Sequence, residues 1–189
     1  MTGTFPTQVH KAQGVKHKVF LSYYHRDDQS YRDAFEKKFA DVYITKTVQP
    51  GEIRSDNQAE YIKRLIQDGY IEDASIIVVL VGPKTKCRKH VDWEISAGLN
   101  KKVGGYSGLI GILLPTFPLT ADGKYRRADL PKRLDENVDS KFASLYTWDT
   151  ITRGTTELTR ALDEAFERRV VRADRVKNAL PQMQRNTCE

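Results

Sequence analysis

In the stretch CRKHVDWEISAGL, Cys87 to Leu99, one residue type does not fit its position. Read as a helix turning about 100° per residue, Val91, Ile95, Gly98 and Leu99 share an apolar face. Glu94 borders that face, where a carboxylate costs desolvation energy unless something offsets it. A carboxylate fixed in such a place suits N-glycosidic chemistry. The transition state at a sugar C1 carries oxocarbenium character, and a negative group beside it stabilises the developing charge. The same carboxylate can hold ribose hydroxyls. The plain alternative is a helix N-terminal acid favoured by the dipole.

The elements that must position Glu94 follow from periodicity. Residues 1–15 show none and read as a disordered N-terminal segment, and 16–172 as one domain. KHKVFLSYY holds a strand, Lys18 to Tyr23, and RDDQSYRDAFEKKF a helix, with Asp27 or Asp28 as its cap. DVYITKTV is a weak second strand. QPGEIRSDN is a loop, and AEYIKRLIQDGY a helix with Tyr61, Ile62, Leu65 and Ile66 on one face. SIIVVLVG is continuously apolar and β-branched, which marks a strand covered on both sides. The Glu94 helix follows, then the strand SGLIGILLP, a polar excursion from Thr116 to about Ser140, the strand FASLYTW and a helix built on Leu158, Leu162, Ala165 and Phe166. Residues 173–189 read as a frayed C-terminal tail.

Alternation of this kind predicts an α/β fold of the flavodoxin-like type: an open five-stranded parallel sheet, order 2-1-3-4-5, with helices on both faces. Ligands in such sheets bind at the carboxyl ends of the strands. That edge carries SYYHRDD, QPGEIRSDN and GPKTKCRKHVDWE, so Glu94 lies on the expected side. Ser22, Tyr23 and Tyr24 are read as pocket lining or strand-end packing, with Tyr23, Tyr24 or Trp93 able to stack on a base. Asp28 is a cap or a ligand. Trp93 lies about 160° from Ile95 around the helix. It requires cover by a neighbouring segment or a self-association face, and both remain open.

Other chemistries are excluded by what this edge lacks. No glycine-rich phosphate cradle joins a strand to a helix. The third strand ends Val81-Gly82 and the fifth ends at Trp148, where a phosphorelay receiver needs an aspartate and a lysine. No GxSxG elbow is present. His25 and His90 read as surface residues.

The chain has 189 residues, a net charge of +6, 39% hydrophobic and 30% charged residues, and two cysteines. No apolar run reaches the ~20 residues of a membrane span, and the N-terminus has no secretory h-region. Cys87 and Cys188 show no metal spacing, so no metal is expected; a reducing cytoplasm fits best, and Cys87 reads as inert or as a thiol whose pKa the nearby helix start lowers. The basic groups Lys84, Lys86, Arg88, Lys89 and Arg168, Arg169, Arg172, Arg175 read as solvated rims. Neither has the aromatic interleaving of a nucleic-acid surface.

KVFLSYYHRDD and SDNQAEYIKRLIQDGYIEDASIIVVLVGPKTKCRKHVDWEISAGL together resemble the TIR-like domains of bacterial Thoeris antiphage systems, the ThsB type. The similarity runs from about Lys16 to Leu114. It rests on a first strand ending Phe-x-Ser-aromatic, a Leu-Ile helix before SIIVVLVG, and basic residues ahead of Val-x-x-Glu-Ile. Many TIR domains carry Trp-Cys-x-x-Glu; here the aromatic is displaced to Trp93, beside the glutamate. The resemblance implies a cytoplasmic enzyme with NAD+ as substrate and no cofactor. Glu94 would cleave the nicotinamide–ribose bond, giving ADP-ribose, a cyclic isomer or a conjugate. It also implies activation by a phage-derived trigger, with self-association, and a partner effector reached through the diffusible nucleotide. Two other classes stay open: a non-catalytic TIR adaptor and a nucleoside deoxyribosyltransferase-like enzyme.

Overall fold

The computed structural model describes residues 16–46, 60–61, 63–64, 69–100 and 105–188. The expected disordered segment 1–15, the loop QPGEIRSDN, and Ile62, Leu65 and Ile66 lie outside the described residues. Five strands form one sheet: β1 (Lys18–Ser22), β2 (Ile44–Lys46), β3 (Ile76–Val81), β4 (Gly108–Leu113) and β5 (Ser144–Thr147). All pairs are parallel and the order is β2-β1-β3-β4-β5, as the sequence predicts. In the register Phe20 faces Ile77 and Ile77 faces Leu109, which sets β1, β3 and β4 side by side at the centre.

Alternation sends successive side chains to opposite faces. One face carries Phe20, Ile77, Val79 and Leu109 and is covered by α2 (Lys89–Gly98) and α3 (Lys132–Asp139). The other carries Val19, Leu21, Val78, Leu80 and Ile110. It is covered by α1 (His25–Phe39), α4 (Trp148–Ile151) and α5 (Thr155–Val171). All six residues of β3 are buried, which is why its sequence is apolar without interruption. Two glycines set the layer spacing. A Cβ at Gly108 would stand 2.5 Å from the Ala165 carbonyl oxygen of α5. One at Gly98 would overlap the Ile77 side chain, which fills the space beneath α2.

Three expectations are corrected by the fold. Asp28 does not cap α1: the cap position is Tyr24, and Asp28 sits in the first turn with its side chain buried. The chain after residue 172 is not frayed. It crosses α3 and then runs over the outer side of α2. Asn137 accepts the Lys177 N–H and donates to the Lys177 carbonyl. Arg133 donates to the Asn178 side chain at 2.8 Å and to the Leu180 carbonyl at 3.1 Å. Near the end, the Asn186 side-chain oxygen accepts the Lys89 N–H at 3.0 Å. The α2 cap residue, Arg88, makes no side-chain cap bond, so the tail supplies an acceptor to this helix start. Sequence periodicity missed the segment because its polar side chains and backbone make the contacts.

The tail ends in a Cys87–Cys188 disulfide, with Cα atoms 5.5 Å apart. The reading of two separate thiols is thereby corrected, and with it the argument from thiols to a reducing compartment. The partners are 101 residues apart in sequence and meet only because the tail crosses α2. Among the described residues no helix is long and apolar enough to cross a membrane.

Candidate functional site

With the sheet on one side and the tail on the other, α2 is buried all round from Val91 to Gly98. Its side chains therefore need partners in every direction. On the outer side Asp92 accepts from Arg133 Nε at 2.9 Å and from the Met183 N–H at 2.9 Å. Trp93 is 1% exposed and donates its indole N–H to the Met183 carbonyl at 2.8 Å. This resolves the awkward angle of Trp93 in favour of cover by a neighbouring segment. A self-association contact through Trp93 is corrected, because the tail already occupies that side.

Glu94 points the other way, to the strand ends. It is 3% exposed. Ser22, the last residue of β1, donates its hydroxyl to Oε2 at 2.6 Å, and Tyr61 donates to Oε1 at 2.5 Å. No cation touches the carboxyl among the described residues. Burial pushes it up to about 7, with the Ser22 and Tyr61 bonds opposing that rise. Near neutral pH the group is thus poised between its charged and neutral forms.

The remaining candidates sort around it. Tyr23 is buried, donates to Gln29 at 2.8 Å and stacks on the His25 ring at 4.3 Å. Burial pushes its phenol up to about 12. His25 is not a free surface histidine: burial, with lesser contributions from His90 and Arg32, pushes it down to about 4. Tyr24 lies beneath the Arg88 guanidinium, 4.0 Å from its ring centre. Asp28, pushed up to about 6 by burial, accepts from the Thr85 hydroxyl at 3.3 Å. Its carboxyl also fills the space a Cβ at Gly82 would take. It acts as a strut between the start of α1 and the β3–α2 connection. Ser22 and Glu94 are thus in direct contact. Tyr23 stands beside them, Tyr24 lies at the Arg88 rim, and Asp28 and Trp93 pack as structural groups.

Two residues escaped the sequence reading. Tyr61 was read only as part of an apolar helix face. Its signal was the hydroxyl, since a buried tyrosine needs a partner for its O–H. Arg133 lay in the polar excursion and gave no signal. No group of three or more His, Cys, Asp or Glu able to hold a metal is present among the described residues.

The sheet is open, parallel and of the flavodoxin-like order, with a buried carboxylate on the helix after the third strand in sequence. The sequence profile described as "Thoeris protein ThsB, TIR-like domain" matches residues 20–117, and the chain belongs to that family. No curated protein matches the chain. Family membership gives the protein a role in antiphage defence and a place in a system with a partner effector.

Proposed function

We propose that the chain cleaves NAD+ at the nicotinamide–ribose bond and releases an ADP-ribose-derived signal that activates its partner effector. The observation that carries this reading is a buried carboxyl on α2 held by two neutral hydroxyls, with no cation beside it among the described residues. In the reaction the C1–N bond breaks and its electron pair leaves with nicotinamide, which departs neutral. The ribosyl cation left behind has its charge opposed by ionised Glu94. Capture by water gives ADP-ribose and a proton. Capture by an adenine nitrogen or ribose hydroxyl of the same molecule gives a cyclic isomer, and capture by a small nucleophile gives a conjugate. Of the aromatic groups at the end of β1, Tyr23 is buried against His25, which leaves Tyr24 for base stacking, and Ser22, while donating to Glu94, can accept from a ribose hydroxyl. Catalysis needs the charged carboxyl, so turnover rises with pH through about 7.

The test uses phage-challenged cells expressing the parent or Glu94→Gln, extracted and read by mass spectrometry. The parent should deplete NAD+ and accumulate an ADP-ribose-derived product, with at least about a hundredfold less from the variant. Equal product from both would overturn the reading. Base exchange on deoxynucleosides without NAD+ loss would replace it with deoxyribosyl transfer, and no turnover of either would leave an adaptor.

A further inference from the structure

The Glu94 carboxyl is gripped from two sides by residues of two different elements. Ser22 comes from the end of β1 and Tyr61 from the helical residues 60, 61, 63 and 64. Tyr61 is itself only 3% exposed, so its ring has little freedom. The ring stacks on His90 at 4.5 Å and lies tilted against Trp93 at 5.8 Å. Both belong to α2, the helix that carries Glu94. A phenylalanine would fill the same space against His90 and Trp93; among the described residues, only the bond to Glu94 accounts for the hydroxyl.

We propose that Tyr61 is the positioning residue of the Glu94 carboxyl, its hydroxyl fixing one oxygen while Ser22 fixes the other. The proposal rests on Glu94 being the reaction's carboxylate. Two fixed bonds set the plane of the group and leave its remaining lone pairs to face the ribosyl carbon. They also favour the charged form that catalysis needs, against the burial that disfavours it. Tyr61, Tyr23 and His25 do not compete for protons near neutrality. Tyr61 is pushed far up by burial and by the Glu94 charge, and Tyr23 is pushed up to about 12. His25, stacked on Tyr23, is pushed down to about 4. His90 stands behind the Tyr61 ring, and Arg32 of α1 acts on Tyr23 and His25.

The experiment compares the full-length parent with Tyr61→Phe. Glutamate carboxyl carbons are labelled with 13C, and the Glu94 signal is assigned by its loss in Glu94→Gln. Loss of the phenol should raise the Glu94 titration midpoint by about half a unit to one unit. The acid limb of NAD+ turnover should move up by the same amount. At neutral pH kcat should fall with KM little changed, and it should recover at higher pH. A residue that only fills space would lower the melting temperature and leave both the midpoint and the limb where they are. A second variant protects against a folding failure: 3-fluorotyrosine at position 61 keeps the shape, donates more strongly and should lower the midpoint. An unmoved midpoint in both variants overturns the proposal. Midpoints that move as expected in a parent that never turns over NAD+ uphold the pairing and remove the NAD+ reading instead.

Discussion

Two carboxylates sit two positions apart on α2 and are treated in opposite ways. Asp92 faces the tail, where Arg133 reaches it with Nε at 2.9 Å and Nη2 at 3.3 Å, and the Met183 N–H adds a third bond. The Arg133 side chain is fully buried, so the pair is a closed ionic strut. Glu94 faces the strand ends with two hydroxyls and no cation among the described residues. A buried charge that serves structure is matched by a countercharge, because an unmatched one costs several kcal/mol (on the order of 3–5 when a partner is removed). A carboxyl left unmatched keeps its attraction for a positive species that arrives later. The contrast sets a scaffold residue beside the residue proposed as reactive.

The comparison can be broken first on the scaffold side. Arg133→Ala leaves Asp92 buried and unpaired, removes the bonds to Asn178 and Leu180, and should cost about 3–5 kcal/mol in urea unfolding. Pairing it with Asp92→Asn should recover part of the loss. A single-variant loss below about 1 kcal/mol would show that the strut is not what holds the tail.

The disulfide tests the same region less severely. It closes a separation of 101 residues, and reduction or Cys87→Ser should cost about 2–4 kcal/mol. Hydrogen exchange should quicken over residues 184–188 and stay slow over 177–183, which Asn137, Arg133, Asp92 and Trp93 hold independently. Identical melting with and without a dithiol reductant would contradict this.

The site side sharpens the contrast through pH. Glu94 has an ordinary value of 4.5 and is pushed up to about 7 in the fold. Between those values the folded protein keeps a proton that the unfolded chain releases. The parent therefore loses stability as pH rises through that window. Glu94→Gln has no such proton. Its stability advantage over the parent should grow from near zero at pH 4 to at most about 3 kcal/mol above pH 7. Asp28, pushed up to about 6, and His25, pushed down to about 4, titrate in both proteins and cancel in the difference. A difference that stays flat with pH would mean that the carboxyl is not desolvated.

Much of the frame was legible in the chain because its signals are local. The unbroken apolar run of β3 announced a doubly covered strand, and the alternation of elements pointed to the flavodoxin-like strand order. Glu94 was legible as a misfit against an apolar face. Its surroundings were not, because they are built from long-range contacts. Tyr61 is 33 residues from Glu94, Arg133 is 41 from Asp92, and the tail meets Trp93 across 90. A tyrosine on an apolar helix face and a polar stretch near the C-terminus look alike whether or not they have partners. Trp93 shows the consequence: its angle correctly signalled missing cover, but only the fold could say whether a second molecule or the chain's own tail supplies it.

The most direct test of the central claim sets the two acids against each other, Asp92→Asn beside Glu94→Gln. Each is followed by thermal melting and by NAD+ consumption under the condition that activates the parent. Asp92→Asn should melt lower and retain turnover at temperatures where it is folded. Glu94→Gln should melt at or above the parent and lose turnover by about a hundredfold or more. If Glu94→Gln instead melts lower and consumes NAD+ at the parental rate, Glu94 is a strut like Asp92 and the catalytic account fails.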